Sequence, residues 1–421
     1  MPVYLVSEIP VRDFGAETLR VGDLNSDGAP DLLFVQSVYE TRAISCLTAT
    51  TLSGEMLWQR GVPDPKNGRI YADLPVQVYD WNGNGRNEVL YIAQARYAER
   101  DPADGWAQQR ALRYEGETVM HLLDASTGNL LQSFPLPAPA DDSFLFADLK
   151  GKGRRQDFVV KDRYWNMWGI SGEGSVLWQW QGSTGHFPAI ADVDGDGCDE
   201  VFVGFALIDH DGTVLFSHDP GDGHQDASFI VRAPDGAWRL LFGNHGLHCL
   251  DVDGSERWFH PLAEAQHVIA GRFRDDAPAH VMAIDRGQRS GTDRLPSVLY
   301  LYDLEGREIW RRVQPAGSWA VAIVPIGWRG GALEDTLVYN RGPETHAAIY
   351  DGNGDTTDIF QMRYTSSLPG VEKQYYCTRA DVWGDSRDEV IFFGSGGACV
   401  YANATPLALP THYNNTLYPG M

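Results

Sequence analysis

Residues 192–203, Asp-Val-Asp-Gly-Asp-Gly-Cys-Asp-Glu-Val-Phe-Val, constrain this chain more than any other stretch. Carboxylates stand at the first, third and fifth positions, glycine follows the fifth, and Glu200 takes the ninth. Oxygen ligands at that spacing suit calcium, and Gly197 permits the sharp turn they need. A helix–loop–helix calcium site would place a glutamate at the twelfth position. Here that position is Val203, in an apolar run that alternates as a strand does. The stretch therefore reads as a metal-binding turn inside a β-hairpin.

The turn recurs. Residues 21–35 carry Asp23, Asn25, Asp27, Gly28 and Asp31 in the same spacing, and residues 78–93 carry Asp80, Asn82, Asn84, Gly85 and Glu88. Residues 145–162 keep Asp148 but put Lys150 and Lys152 where ligands belong, so this unit is expected to have lost its metal and kept its turn. The Asp192 unit, with Asp192, Asp194, Asp196 and Glu200 as ligands, is the fourth. Turns in residues 228–243, 268–285 and 320–340 are eroded; residues 378–394 retain Asp381, Gly384, Asp385 and Glu389. A second hairpin follows each unit. Four of these end in Trp58, Trp178, Trp258 and Trp310, and residues 402–406 read as a worn last one.

Eight units of four short strands, each about fifty residues long, predict an all-β fold. It is an eight-bladed β-propeller of four-stranded antiparallel blades, one domain over residues 1–421, with calcium in the turns between first and second strands. The tryptophans should pack between blades. Residues 3–9 should complete the last blade and close the ring.

With 57 acidic against 34 basic residues the net charge is −23, which argues against a nucleic-acid partner. The five cysteines, at 46, 198, 249, 377 and 399, form no Cys-x-x-Cys and read as thiols in a reducing compartment. Cys377 and Cys399 fall on strands of one sheet, which leaves a single disulfide open as the alternative. The N-terminus has no basic or long apolar leader segment, and no apolar run is long enough to span a membrane. The expectation is a cytoplasmic monomer acting on small imported oligosaccharides if the sequence is full length, and a secreted or periplasmic protein otherwise.

Strand parity separates two faces. With strands A to D numbered outward from the axis, the Asp-rich A–B turns lie on one face. Loops entering strand A and loops joining B to C lie on the other, around the axis. His186, His224 and His267 precede strand A of blades four, five and six, and His245 follows strand B of blade five. One loop histidine is an ordinary surface residue; four at equivalent positions point to a site. Two of them with Asp226 could bind a divalent cation, Ca2+ or Mn2+, or one could move a proton. The B–C loops add Lys161, Arg163, Tyr164, Arg286 and Arg341 to the same face. Arginine grips carboxylates in bidentate fashion, so an acidic oligosaccharide or polysaccharide is the expected ligand. The alternative is a solvated rim of scattered ion pairs. No Gly-x-Ser-x-Gly, phosphate loop or His-Glu-x-x-His is present.

Ile-Ala-Asp-Val-Asp-Gly-Asp-Gly-Cys-Asp-Glu-Val from Ile190, Leu-Ile-Asp-His-Asp-Gly-Thr-Val-Leu from Leu207 and Gly-His-Gln-Asp-Ala from Gly223 resemble the rhamnogalacturonan lyases of polysaccharide lyase family 11. The resemblance implies an eight-bladed propeller with bound calcium that cleaves rhamnose–galacturonate bonds by β-elimination. Gln225 stands where the family has glycine, and Gly246 stands where an acid follows the family's metal-linked histidine, here His245. The similarity runs over residues 186–245, more weakly over 380–391, and departs in blades six and seven. It implies a metal-linked histidine at His245 beside the His224–Asp226 segment, and it does not locate the catalytic base; loop position makes His186, Tyr164, His224 and His245 the candidates for proton transfer, His224, Asp226 and His245 for a metal, and Lys161, Arg163, His267, Arg286 and Arg341 for substrate contacts. The other readings are a non-catalytic calcium-stabilised propeller that binds carbohydrate or protein, and a glycoside hydrolase on the same scaffold.

Overall fold

The computed structural model describes residues 3–10, 18–38, 43–64, 74–93, 96–97, 114–115, 117–138, 140, 144–162, 165–218, 225–287, 295–315, 321–340, 347–360, 375–394 and 396–407. Their strands form eight four-stranded antiparallel sheets. Seven sheets take their strands in sequence order; blade four, for example, runs Ala189–Ala191, Glu200–Phe202, Ala206–Ile208, Val214–Ser217. Blade two adds a two-stranded ribbon, Arg96–Tyr97 with Tyr114–Glu115, between its second and third strands. No helix occurs among the described residues, and so none long and apolar enough to cross a membrane.

The eighth sheet closes the ring. Its inner strands are Tyr376–Ala380, Glu389–Gly394 and Gly397–Asn403, and its outer strand is the N-terminal Val3–Pro10, paired from Val3 with Asn403 to Pro10 with Gly397. Closure by the N-terminus is therefore as expected. The worn hairpin expected at residues 402–406 does not form. Ala402 and Asn403 end the third strand, and the edge such a hairpin would cover is already taken by the N-terminal strand.

Burial follows position in the blade. Second strands such as Asp31–Ser37 and Glu389–Gly394 are buried at every residue, because a neighbouring blade covers each face. Outer strands such as Met56–Gly61 and Val176–Gln181 bury mainly their tryptophan. Eight apolar clusters result, one at each seam; Leu33, Trp58, Val89 and Leu123 join blades one and two, and Phe34, Ile391 and Val400 join blades eight and one. First strands of successive blades contact one another and so line the axis.

All five cysteines are free. Cys377 and Cys399 both pair with Phe392, from opposite sides. They are thus two strand spacings apart, roughly 9.6 Å, beyond the ~7 Å Cα limit of a disulfide.

Candidate functional site

On the turn face, the A–B turn of blade four is wound around its own carboxylates. Asp192 accepts the amides of Gly195 and Gly197 at 2.6 and 3.2 Å, Asp194 accepts that of Asp196 at 3.0 Å, and Asp196 that of Cys198 at 2.7 Å. Gly195 and Gly197 adopt φ of +84° and +91°, open to glycine at no steric cost. Glu200 turns back to accept the amide of Val193 at 2.6 Å. Its second oxygen is buried with no hydrogen-bond partner, and burial among Asp194, Asp209 and Asp196 pushes the carboxyl up to about 7. Asp192, Asp194 and Glu200 bring oxygens within 4.8 Å of one another. An orphaned carboxylate oxygen inside an all-oxygen cluster fits calcium.

The other turns fit it unequally. In blade one Asp23 and Asp31 accept the amides of Gly28 and Leu24, and Asp23 keeps one buried oxygen unpaired. In blade two both oxygens of Glu88 are taken, by the Trp81 amide and the Asn82 side chain, and Arg154 from blade three lies against Asp80. There a guanidinium already neutralises the turn. In blade three Lys150 and Lys152 reach Glu173 instead of any ligand position, at 3.0 and 3.5 Å. In blade eight Arg387 holds Asp385.

On the axial face, the loops entering blades four and five and the first strand of blade six are tied into a chain. The His186 amide donates to the Gln225 carbonyl at 3.1 Å, and Gln266 Nε2 donates to Asp226 Oδ1 at 3.1 Å. Gln225 is fully buried; its side chain fills the space that β-carbons at Gly185 and Gly204 would occupy, and both glycines have positive φ. The carbonyl oxygens of the Gln225 and Gln266 side chains and Thr184 Oγ1 are buried without hydrogen-bond partners. This is an unusual concentration of unmet polar capacity, of the kind that marks functional sites. From the sequence Gln225 was marked only as a departure from the family's glycine and Gln266 not at all, because a glutamine carries no pattern of its own.

The expected basic rim is only partly realised. Lys161 is 2% exposed and Arg286 3% exposed, and Arg286 is neutralised by Glu264 at 2.8 Å. His186 is half-buried, its ring stacked on Phe187. His267 does not precede strand A of blade six; the strand begins at Ala265 and His267 follows a bulge within it. Arg163, Tyr164, His224 and Arg341 lie outside the described residues. Among the described residues no three metal-ligating side chains converge at this mouth.

His245 is exposed and lines a cleft of about 550 Å³ between blades four and five, with Phe205, His218, Phe242, His248, Glu256 and Phe259. The cleft follows from register. Phe242 pairs with His248, and His248 with Phe259, across adjacent strands, so their rings meet on one face. His248 lies flat on Phe242 with centroids 4.2 Å apart and hydrogen-bonds Glu256 at 2.8 Å. An aromatic wall beside fixed polar groups suits a sugar ring, with its apolar face and hydroxyl edge. His248 was missed in the sequence: strand alternation sets it on the face opposite buried Cys249, but only the pairing register brings in Phe259.

A family model, rhamnogalacturonan lyase family 11, C-terminal domain, matches residues 157–412. The chain belongs to rhamnogalacturonan lyase family 11. This family-11 chain is 24% identical over 433 residues to the rhamnogalacturonan endolyase YesW of Bacillus subtilis (strain 168), covering 90% of this chain and 66% of that protein. It is 22% identical over 261 residues to the exolyase YesX of the same organism, covering 52% of this chain and 42% of YesX. It thus spans less than two thirds of the length of either. The crystal structure of YesW superposes with a TM-score of 0.67 at 20% identity, over 96% of this chain and 77% of that one, which shows a common fold.

Proposed function

We propose that this family-11 chain is a lyase that cleaves a rhamnose–uronate bond of an acidic oligosaccharide or polysaccharide by β-elimination. The observation that carries this reading is the family match over residues 157–412, which takes in His186, His224, Asp226 and His245. A divalent cation, Ca2+ or Mn2+, held by His224, Asp226 and His245 would neutralise the uronate carboxylate and acidify the C5 proton. The described residues do not by themselves make that site, so the chain's own groups carry the remaining argument. Arg163 and Arg341, on the B–C loops of blades three and seven, receive the carboxylate. His186 or Tyr164 takes the C5 proton, and an acid returns a proton to the leaving glycosidic oxygen. On the opposite face, calcium in the Asp192 and Asp23 turns stiffens the ring.

The experiment is incubation with rhamnogalacturonan and with rhamnose–glucuronate polymers while the ultraviolet absorbance of an unsaturated uronate is followed. The wild-type chain should generate that chromophore, and His224→Ala and Asp226→Ala should abolish it with the fold intact. Full activity in His224→Ala would refute the site. A non-catalytic carbohydrate-binding propeller is the second reading, favoured by Gln225 and Gly246 at the family's glycine and acid positions and by the aromatic cleft at His248. It predicts retention on a polysaccharide column with no chromophore.

A further inference from the structure

We propose that Asp196, Cys198 and His210 form a binding site for a soft divalent cation, zinc by its ligand chemistry, on the turn face of blade four. The three come from two turns. Asp196 and Cys198 lie in the A–B turn, and His210 lies in the C–D turn that follows Ala206–Ile208. A carboxylate oxygen, the sulfur and a ring nitrogen all lie within 4.8 Å of one another. His210 Nε2 is 3.5 Å from Asp196 Oδ2. That is about the edge of a tetrahedron built on zinc bonds of ~2.0–2.3 Å.

Groups outside the cluster aim it. His210 Nδ1 lies 3.2 Å from the carbonyl oxygen of Leu149, in blade three. With Nδ1–H donating there, the lone pair is on Nε2, the nitrogen that faces Asp196. A backbone carbonyl behind the second ring nitrogen is the usual support of a metal-bound imidazole. His210 is pinned further where Trp178 Nε1 donates to its main-chain oxygen at 2.8 Å. Around the sulfur, the Gly151 backbone comes so close that a β-carbon there would sit 3.1 Å from Sγ.

The donor set separates this site from its neighbour. Thiolate and imidazole select zinc, whereas the all-oxygen set of Asp192, Asp194 and Glu200 suits calcium; Asp196, read from the sequence as a calcium ligand, groups with Cys198 and His210 instead. Three protein ligands leave a fourth position for water. A bound ion would join both turns of blade four and, through His210, brace them against blade three.

The test uses the full chain, stripped with chelator, kept in excess calcium so that the A–B turns stay filled, and titrated with zinc chloride. Zinc content after dialysis should fall by one equivalent from the wild type to Cys198→Ser and to His210→Gln, whatever the His224 site retains, with affinity at that equivalent at least tenfold weaker in both variants. Cobalt in place of zinc should give a thiolate-to-cobalt charge-transfer band that Cys198→Ser lacks. Should Cys198→Ser destabilise the metal-free chain, His210→Gln decides by the same readouts. No zinc retained by the wild type, or zinc and the cobalt band unchanged in the variants, overturns the proposal. Neither readout involves catalysis, so the result is independent of the lyase reading.

Discussion

The indole Nε1 of Trp58 donates a hydrogen bond to the main-chain oxygen of Ala125 in the next blade, at 2.6 Å. Trp178, Trp258 and Trp310 repeat it, to His210, Leu304 and Gly352 at 2.8, 2.9 and 2.9 Å. Each indole also lies over a positive-φ glycine of the partner turn: Gly128, Gly212, Gly306 and Gly354. The seams are therefore bonded as well as packed. Trp58→Phe should cost about 1–2 kcal/mol, from the lost hydrogen bond and a small void. Gly128→Ala, whose β-carbon would meet the Trp58 ring at 2.6 Å at φ +69°, should cost roughly 1–3 kcal/mol. Urea melts of the two variants check both.

Glu200 sets a pH dependence with a definite sign. Its carboxyl is raised from 4.5 to about 7 in the folded chain, so the folded state binds the proton more tightly than the unfolded state. Metal-free protein should lose stability as pH rises from about 4.5 to about 7 and level off above, by roughly 1–3 kcal/mol. Glu389, raised to about 6, adds a smaller fall in the same direction. Glu200→Gln should flatten most of this fall. Calcium added near pH 8 should raise the melting temperature of the wild type, and by less in Glu200→Gln, where only the Asp23 turn still binds it. Thermal melts across pH, with chelator and with calcium, read both effects.

Gln225 holds the entry loops of blades four and five together, its Nε2 3.4 Å from the Thr184 carbonyl and its stem against Gly185 and Gly204. Gln225→Ala should cost about 1–3 kcal/mol through the cavity it leaves. Because Asp226 follows directly, the same change should loosen the mouth, read as faster amide hydrogen exchange at Asp226 and Ala227.

The thiols give a simple count. Denatured protein should titrate five free thiols with and without prior reduction, since all five cysteines are free. In the native state Cys46, Cys249 and Cys399, all buried, should resist modification. A reduction-dependent count would contradict the two-strand separation of Cys377 and Cys399.

Much of the ring was legible in the chain because its devices are local. The Asp-Asn-Asp-Gly spacing of Asp23 to Gly28 or Asp192 to Gly197 needs only its own backbone to wind into a turn, and strand parity then divides loops between faces. The mouth was less legible. Lys161 and Arg286 read as open cations, yet both are buried and Arg286 is paired with Glu264, since a residue at or just past a strand's end is covered or exposed by whatever loop crosses it. His267, read as a loop residue, sits in a bulged strand.

The sequence by itself determined the eight-bladed all-β ring, the seam tryptophans and the oxygen-rich turns, because each rests on contacts between residues close in sequence or repeated at a fixed period; the N-terminal closure, Val3 against Asn403, was expected only because the ring must be completed. Only the tertiary structure decided that Arg154 would answer Asp80 across a seam, that Gln225 would fill the gap between Gly185 and Gly204, and that Leu149 would orient His210 toward Asp196. These pairings join blades. Their partners are set by how one sheet is rotated against the next, a quantity with no period in the sequence to reveal it.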